Sequence, residues 1–309
     1  MEKISVIVPV TERHDDIAGM HREYREALSG TGKEFEMVYV VDGGFEKAYL
    51  ELKALKGGGE QLTLVKHSRP FGEAIAIQSG FQQATGGVIM TLPAYHQVDA
   101  AELHKLVEGL EGNDMAIARR WPRRDSGWNQ LQTRVYHGIV RKLAGGVSND
   151  IGCGVRIFRR KVLEEISLYG DMHRFLPVLA HKQGFRIREV DLAQSAKESR
   201  VRTYPFGIYV RRMIDLLTVF FLIKFTKKPL RFFGLTGSVV LAAGLALTTY
   251  MVINRLAFGV ALADRPLFLI GILFVVLGLQ IFAIGLIGEI VIFTHAKELK
   301  EYTVDEIIN

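Results

Sequence analysis

The sequence predicts an α/β protein: a mostly parallel, doubly wound sheet with helices on both faces, continued by two membrane-spanning helices. Three observations predict it. Over the first 200 or so residues, short β-branched apolar runs alternate with polar, helix-forming segments, the pattern of strands joined by crossover helices. After Pro229 come two apolar runs, each longer than the roughly 20 helical residues that cross a hydrocarbon core. The chain of 309 residues also combines 49% hydrophobic with 23% charged residues at a mean hydropathy of +0.16, as expected when a water-soluble part and a membrane part share one chain.

Taken in order, residues 4–10 form the first strand, 15–28 a helix, 37–41 the second strand and 46–55 a helix. Residues 62–66 form the third strand, 72–84 a helix and 88–92 the fourth strand. In such a sheet ligands gather beyond the carboxyl ends of the strands, where the strand order reverses. Those ends are residues 9–12, 42–44, 67–72 and 93–97. Residues 204–225 set Arg211, Arg212 and Lys224 among Ile, Leu, Val and Phe, which reads as an amphipathic helix lying in the membrane interface. A helix packed on the soluble domain is the alternative. Of the two apolar runs, 233–253 carries no charge and 267–293 carries only Glu289. An unpaired carboxylate is costly in a membrane, so Glu289 is expected to snorkel or to pair with a base. The chain thus divides into a soluble domain (1–203), an interfacial region (204–229), a two-helix hairpin (230–296) and a tail (297–309).

Charge sets the orientation and the partners. Lys224, Lys227, Lys228 and Arg231 precede the first run, Lys297 and Lys300 follow the second, and the connection holds only Arg255, Asp264 and Arg265. The positive-inside tendency then puts both ends in the cytoplasm, as a multi-pass protein of the inner (plasma) membrane. A net charge of +6 and a pI near 9.3 suit an anionic membrane surface or a phosphate-bearing substrate. Without a dense basic stretch interleaved with aromatics or a zinc spacing, nucleic acid is not an expected partner. A single cysteine, Cys153, excludes an internal disulfide or a multi-cysteine metal site and reads as a packing residue. The opening MEKISVIVPV is too short an apolar run for a signal peptide.

Several segments resemble family 2 of the glycosyltransferases. Ser5-Val-Ile-Val-Pro9-Val10 looks like the opening strand of that family, and Val40-Val-Asp42-Gly-Gly44 like its Asp-Asp-Gly-Ser turn. His67-Ser-Arg69-Pro-Phe71-Gly72, followed by Ala74, Gly80, Ala84 and Gly86, resembles its Arg-Asn-x-Gly helix and Ala-x-Gly turn. Asp150-Ile-Gly-Cys-Gly154-Val-Arg156 is similar to an acceptor-side turn. His173-Arg-Phe-Leu-Pro177, Gly184-Phe-Arg186 and Glu189-Val190 resemble the polyprenyl-phosphate branch, that of dolichyl-phosphate mannosyltransferase. So do Lys228-Pro-Leu-Arg231-Phe-Phe-Gly234 and Gly285-Leu-Ile-Gly-Glu289 in the membrane part. The resemblance implies a GT-A fold, a nucleotide-sugar donor and a polyprenyl-phosphate acceptor at the membrane. A homo-oligomer is compatible with it.

The resemblance also implies a divalent cation on an Asp-x-Asp motif, which offsets the charge growing on the leaving nucleoside diphosphate. Here that stretch reads Pro93-Ala-Tyr95-His-Gln97, with both carboxylates gone. His96 and Asp99 are the candidates for a shifted Mg or Mn site; otherwise no metal is expected. In a metal-free enzyme, arginines take over the cation's charge, and the guanidinium fork matches phosphate oxygens. The resemblance implies Arg119, Arg134, Arg200 and Arg202 as candidates, because family positions near them bear phosphate-binding arginines. The expected donor-binding residues are Pro9, Glu12, Asp42, Arg69, Gly72, Tyr95 and Gln97. For Asp42 a turn-capping role is the alternative, and for Gly72 a plain helix start. A second function class stays open: a degenerate member of this fold that binds or scaffolds without catalysis. Two spans without an intramembrane polar pathway speak against a transporter subunit.

Overall fold

The computed structural model describes residues 2–122, 149–166, 168, 170–198, 229–259 and 266–295. The interfacial segment 204–225 and the tail 297–309 anticipated from the sequence lie outside them. The chain divides into two compact units, one built on a sheet and one on two long helices, and each is described by itself.

The sheet unit runs β1 (Ile4–Val10), α1 (Ile17–Ser29), β2 (Phe35–Val41), α2 (Glu46–Gly57), β3 (Leu62–Lys66), α3 (Glu73–Gln83) and β4 (Val88–Thr91). It continues through α4 (Leu103–Gly109), β5 (Met115–Arg120), β6 (Arg156–Arg159), α5 (Lys161–Glu165), α6 (Leu176–Lys182) and β7 (Ile187–Leu192). The strand order is β3-β2-β1-β4-β6-β5-β7. All neighbours are parallel except β6, which runs antiparallel to both β4 and β5. The first four strands and three helices therefore fall where the sequence places them, with ends shifted by up to two residues. α1 begins at Ile17 because Asp16 caps it, its Oδ1 accepting from the Gly19 N–H at 3.0 Å.

Side-chain alternation explains why β1 is apolar at all positions but Ser5. Ile4, Val6, Val8 and Val10 enter one core layer with Met20 and Leu28 of α1 and Leu103 and Leu106 of α4. Ile7 enters the opposite layer with Ala74 and Ile77 of α3, Phe158 of β6 and Leu176 of α6. A strand buried on both faces needs apolar residues at both parities. Cys153 packs in the first layer, as expected, and burial pushes its thiol up to about 11.

The second unit is an antiparallel hairpin of α7 (Pro229–Phe258) and α8 (Pro266–His295). Both are long and apolar enough to cross a membrane. Glycines set how close they come. A Cβ on Gly237 would stand 2.6 Å from the Phe282 nitrogen and one on Gly244 2.5 Å from that of Val275, while from α8 a Cβ on Gly271 would meet Thr248 Oγ1 at 2.7 Å. Gly271, Gly278 and Gly285 recur every seven residues, the spacing that keeps one seam facing a partner helix. Without a hydrophobic driving force inside a bilayer, such close backbone approach is what holds helices together. Glu289 does not find a base among the described residues: its Oε2 accepts from the Leu230 N–H at 3.3 Å, in the first turn of α7.

Candidate functional site

Strand order reverses at β1, with β2 and β3 to one side and β4 to the other. The β1–β4 ladder ends at the pair Ile7–Thr91, and Pro9 falls two residues beyond it. Proline cannot donate to a ladder, so it is tolerated in this central strand where one neighbour's pairing has stopped. The carboxyl ends of β1 to β4 and the loops that leave them form the mouth of the site. The turn before β6 and the segment Gly170–Phe175 close it from the other half of the chain.

Asp42 organises the β2–β3 side, but by facing inward. Its carboxylate is 1% exposed and accepts from the Phe71 N–H (2.9 Å), the Gly72 N–H (2.7 Å) and His67 Nδ1 (2.7 Å). His67 continues through Nε2 to Ser79 Oγ of α3 at 2.8 Å. Gly43 has φ +56, and a Cβ there would lie 2.5 Å from the Arg69 carbonyl carbon, so the turn after β2 sits directly on the loop after β3. Protein donors fill the Asp42 oxygens, as in the turn-capping alternative, and the latch it makes shapes the loop of Arg69 and Gly72. Arg69 itself is exposed and leans on the Phe71 ring, 5.0 Å away.

On the β4 side Gln97 is buried, its Nε2 donating to Tyr95 Oη (2.7 Å) while its Oε1 accepts from the Gly154 N–H (2.9 Å). Thr91 Oγ1 donates to the Gly154 carbonyl at 2.9 Å, so the end of β4 and the turn into β6 are one piece. Arg13, from the loop after β1, lies over the Tyr95 ring at 3.9 Å. Burial, with the charges of Glu73 and Glu12, pushes the Tyr95 hydroxyl up to about 12.

The front is closed by ion pairs absent from the sequence reading. Arg174 Nη2 donates to Glu12 Oε1 at 2.8 Å, and His173 Nε2 lies 3.1 Å from Glu73 Oε2. Buried Arg156 donates to the carbonyls of Ile151, His173 and Arg174. Burial alone raises the Glu73 pKa, but the charge and hydrogen bond of His173 outweigh it and hold the group below its usual range. Deeper, Arg120 forks onto Asp150 at 2.7 and 2.9 Å. The sequence marked the segments of His173 and Arg156 by resemblance, but nothing in it pairs residue 12 with 174 or 73 with 173.

The residues present do not fit a divalent cation. Pro93 offers only its carbonyl, which accepts from Tyr24 Oη at 3.0 Å, and Tyr95 keeps its proton. The shifted candidates do not meet either. His96 spends both ring nitrogens on Asp15 (3.0 Å) and Glu23 (3.2 Å), while Asp99 caps the next turn through the Ala101 N–H (3.1 Å). Hard cations want several free oxygens, and no cluster of three His, Cys, Asp or Glu able to hold a metal occurs among the described residues. The arginine expectations fare unevenly. Arg119 pairs with Asp191 through both fork nitrogens at 2.5 and 2.6 Å. Arg134, Arg200 and Arg202 lie outside the described residues.

Comparison with known proteins places these features. The family model described as glycosyl transferase family 2 matches residues 5–167. The undecaprenyl-phosphate 4-deoxy-4-formamido-L-arabinose transferase of Photorhabdus laumondii is 28% identical over 313 aligned positions, covering 100% of this chain and 95% of that protein. Among solved structures, glucosyl-3-phosphoglycerate synthase of Mycobacterium tuberculosis is similar in fold. Its complex with Mn2+, uridine diphosphate and phosphoglyceric acid gives a TM-score of 0.54 at 16% identity, over 71% of this chain and 78% of that one. Its complex with Mn2+ and UDP-glucose gives 0.54 at 15% identity, over 71% and 79%.

Proposed function

We propose, from the premise that this chain belongs to glycosyl transferase family 2, that it moves a sugar from a nucleotide-sugar donor onto a polyprenyl phosphate of the undecaprenyl type. One observation carries the reading: similarity to an undecaprenyl-phosphate sugar transferase runs through the whole chain, hairpin included. A sheet with its loops gathered at the switch point supplies a donor site, and two apolar helices supply an anchor beside a lipid acceptor. The hairpin and the resemblance together support a membrane protein, and the flanking charges support a cytoplasmic soluble domain.

In the reaction, an oxygen of the acceptor phosphate forms a bond to the anomeric carbon. The bond from that carbon to the donor's β-phosphate oxygen breaks, and its electron pair stays on the nucleoside diphosphate. The attacking oxygen is already ionised, so no base is needed. What the protein must supply is orientation and positive charge near the leaving diphosphate. The Asp42 latch fixes the loop of Arg69 and Gly72, and the Gln97–Gly154 bond fixes the opposite wall.

The test is transfer of label from a panel of radiolabelled nucleotide sugars into organic-extractable lipid, using the full chain in membranes with added undecaprenyl phosphate. Label moving from at least one donor is the expected result. No transfer from any donor by folded protein overturns the reading.

A further inference from the structure

Among the described residues, apart from Arg13 and the exposed Arg69, which rests only on the Phe71 ring, the cations around the mouth of the site are spoken for. Arg174 holds Glu12, Arg120 holds Asp150, Arg119 holds Asp191, Lys197 holds Glu23, and Arg156 is satisfied by three carbonyls. Arg13 differs. It forms no hydrogen bond or ion pair with any described residue, and its Nε is buried without a partner. Its one close companion is the face of Tyr95, 3.9 Å away. A buried donor left unpaired carries a desolvation penalty, so this arrangement is incomplete until an acceptor arrives.

The platform under Arg13 is fixed. Tyr95 is anchored through Gln97 to the Gly154 N–H, and stacking on a ring pins the plane of a guanidinium while leaving its donor edge free. Arg13 lies on the loop that leaves β1 and Tyr95 on the loop that leaves β4, so the stack joins the two loops at the switch point. A carboxylate at position 95 would close an ion pair with Arg13 and cancel it. The tyrosine holds the same side chain by its face without pairing with it, and the Asp15 carboxylate opposes its charge through space rather than in an ion pair. The site therefore keeps a positive charge where Pro93 and Tyr95 leave no ligand for a metal.

We infer that Arg13, carried on the Tyr95 ring, binds the diphosphate of the donor and supplies the positive charge that a divalent cation would bring, so that donor binding needs no metal. The inference rests on the nucleotide-sugar reading above. As the glycosidic bond opens, the electron pair settles on the β-phosphate oxygen, and the guanidinium edge is a fixed donor for it.

The experiment is calorimetric titration of the full chain in detergent with UDP, GDP, CDP and dTDP, each in EDTA and in millimolar Mn2+. Undecaprenyl phosphate binding is followed by native mass spectrometry. At least one nucleoside diphosphate is expected to bind equally, within about twofold, in the two conditions. Arg13→Ala is expected to weaken it about tenfold or more, with Arg13→Lys intermediate. The thermal midpoint should hold, because Arg13 makes no ion pair, and lipid-phosphate binding should hold within about twofold. Binding that requires Mn2+, binding unchanged in Arg13→Ala, or a loss confined to the lipid phosphate overturns the inference and leaves the transferase reading standing. If folded wild-type protein binds none of the four in either condition, the nucleotide-sugar reading falls, and the inference with it.

Discussion

At Asp42 a single carboxylate takes three donors from a loop 25 to 30 positions further along the chain. Removing it strands two backbone N–H groups in a nearly closed place. Asp42→Ala is therefore expected to destabilise the sheet unit by about 2–4 kcal/mol, since hydrogen bonds to charged groups contribute about 1.5–3 kcal/mol and buried donors left alone add to the loss. Asp42→Asn should lose less, and urea unfolding followed by far-UV circular dichroism reads both. Glu36 makes a second knot, bonded to Ser5 Oγ, to the Thr85 N–H and Oγ1 and to Lys3. Burial works against its ionisation, but these donors win and lower its pKa from 4.5 to about 2. Its contribution to stability is complete above pH 4.5 and is given up as pH falls toward 2. Glu36→Gln should be less stable than wild type at pH 7 by about 1–3 kcal/mol and should approach it near pH 2; equal loss at both ends would assign Glu36 to packing. The sequence locates Asp42 in its turn correctly. It does not show that the oxygens are filled, because the filling donors depend on how the turns after β2 and β3 touch.

Elements show the same division. β1 to β4 and α1 to α3 are legible because each is short, periodic and bounded by turn residues. β6 is not: its antiparallel entry between β4 and β5 depends on pairing partners that no local pattern names. With it comes the half of the site carried by Arg156, His173 and Arg174. The hairpin is legible as two runs of sufficient length, but the reason it stays closed lies in its glycines. A Cβ on Gly278 would lie 2.4 Å from the Leu241 nitrogen, a backbone atom that cannot step aside. Gly278→Leu is expected to force α7 and α8 apart. In detergent it should lower the thermal midpoint of the whole chain and raise the aggregated fraction on size exclusion, while Leu279→Ala, on the exposed side of α8, should do neither.

For the whole molecule, the arrangement proposed from the flanking charges is an N-terminal domain and a C-terminal tail on one side of a membrane. Reporter fusions after Asn309 and within residues 258–263 are expected to give opposite signals, and the same signal at both sites would rule the hairpin topology out. Hairpin length carries a further consequence. From Phe232 to Asn254 on one helix, and from Leu267 to Gly288 on the other, no residue carries a charge. At 1.5 Å per residue each stretch is about 33–35 Å long, against a hydrocarbon thickness of about 30 Å. Because the glycine seam joins the two helices, neither can adjust alone, and the excess must be taken up by both leaning together or by lipid stretching to meet them. Reconstitution into phospholipids of increasing acyl-chain length should therefore straighten the pair step by step, with the hairpin standing nearest the bilayer normal in the thickest membrane.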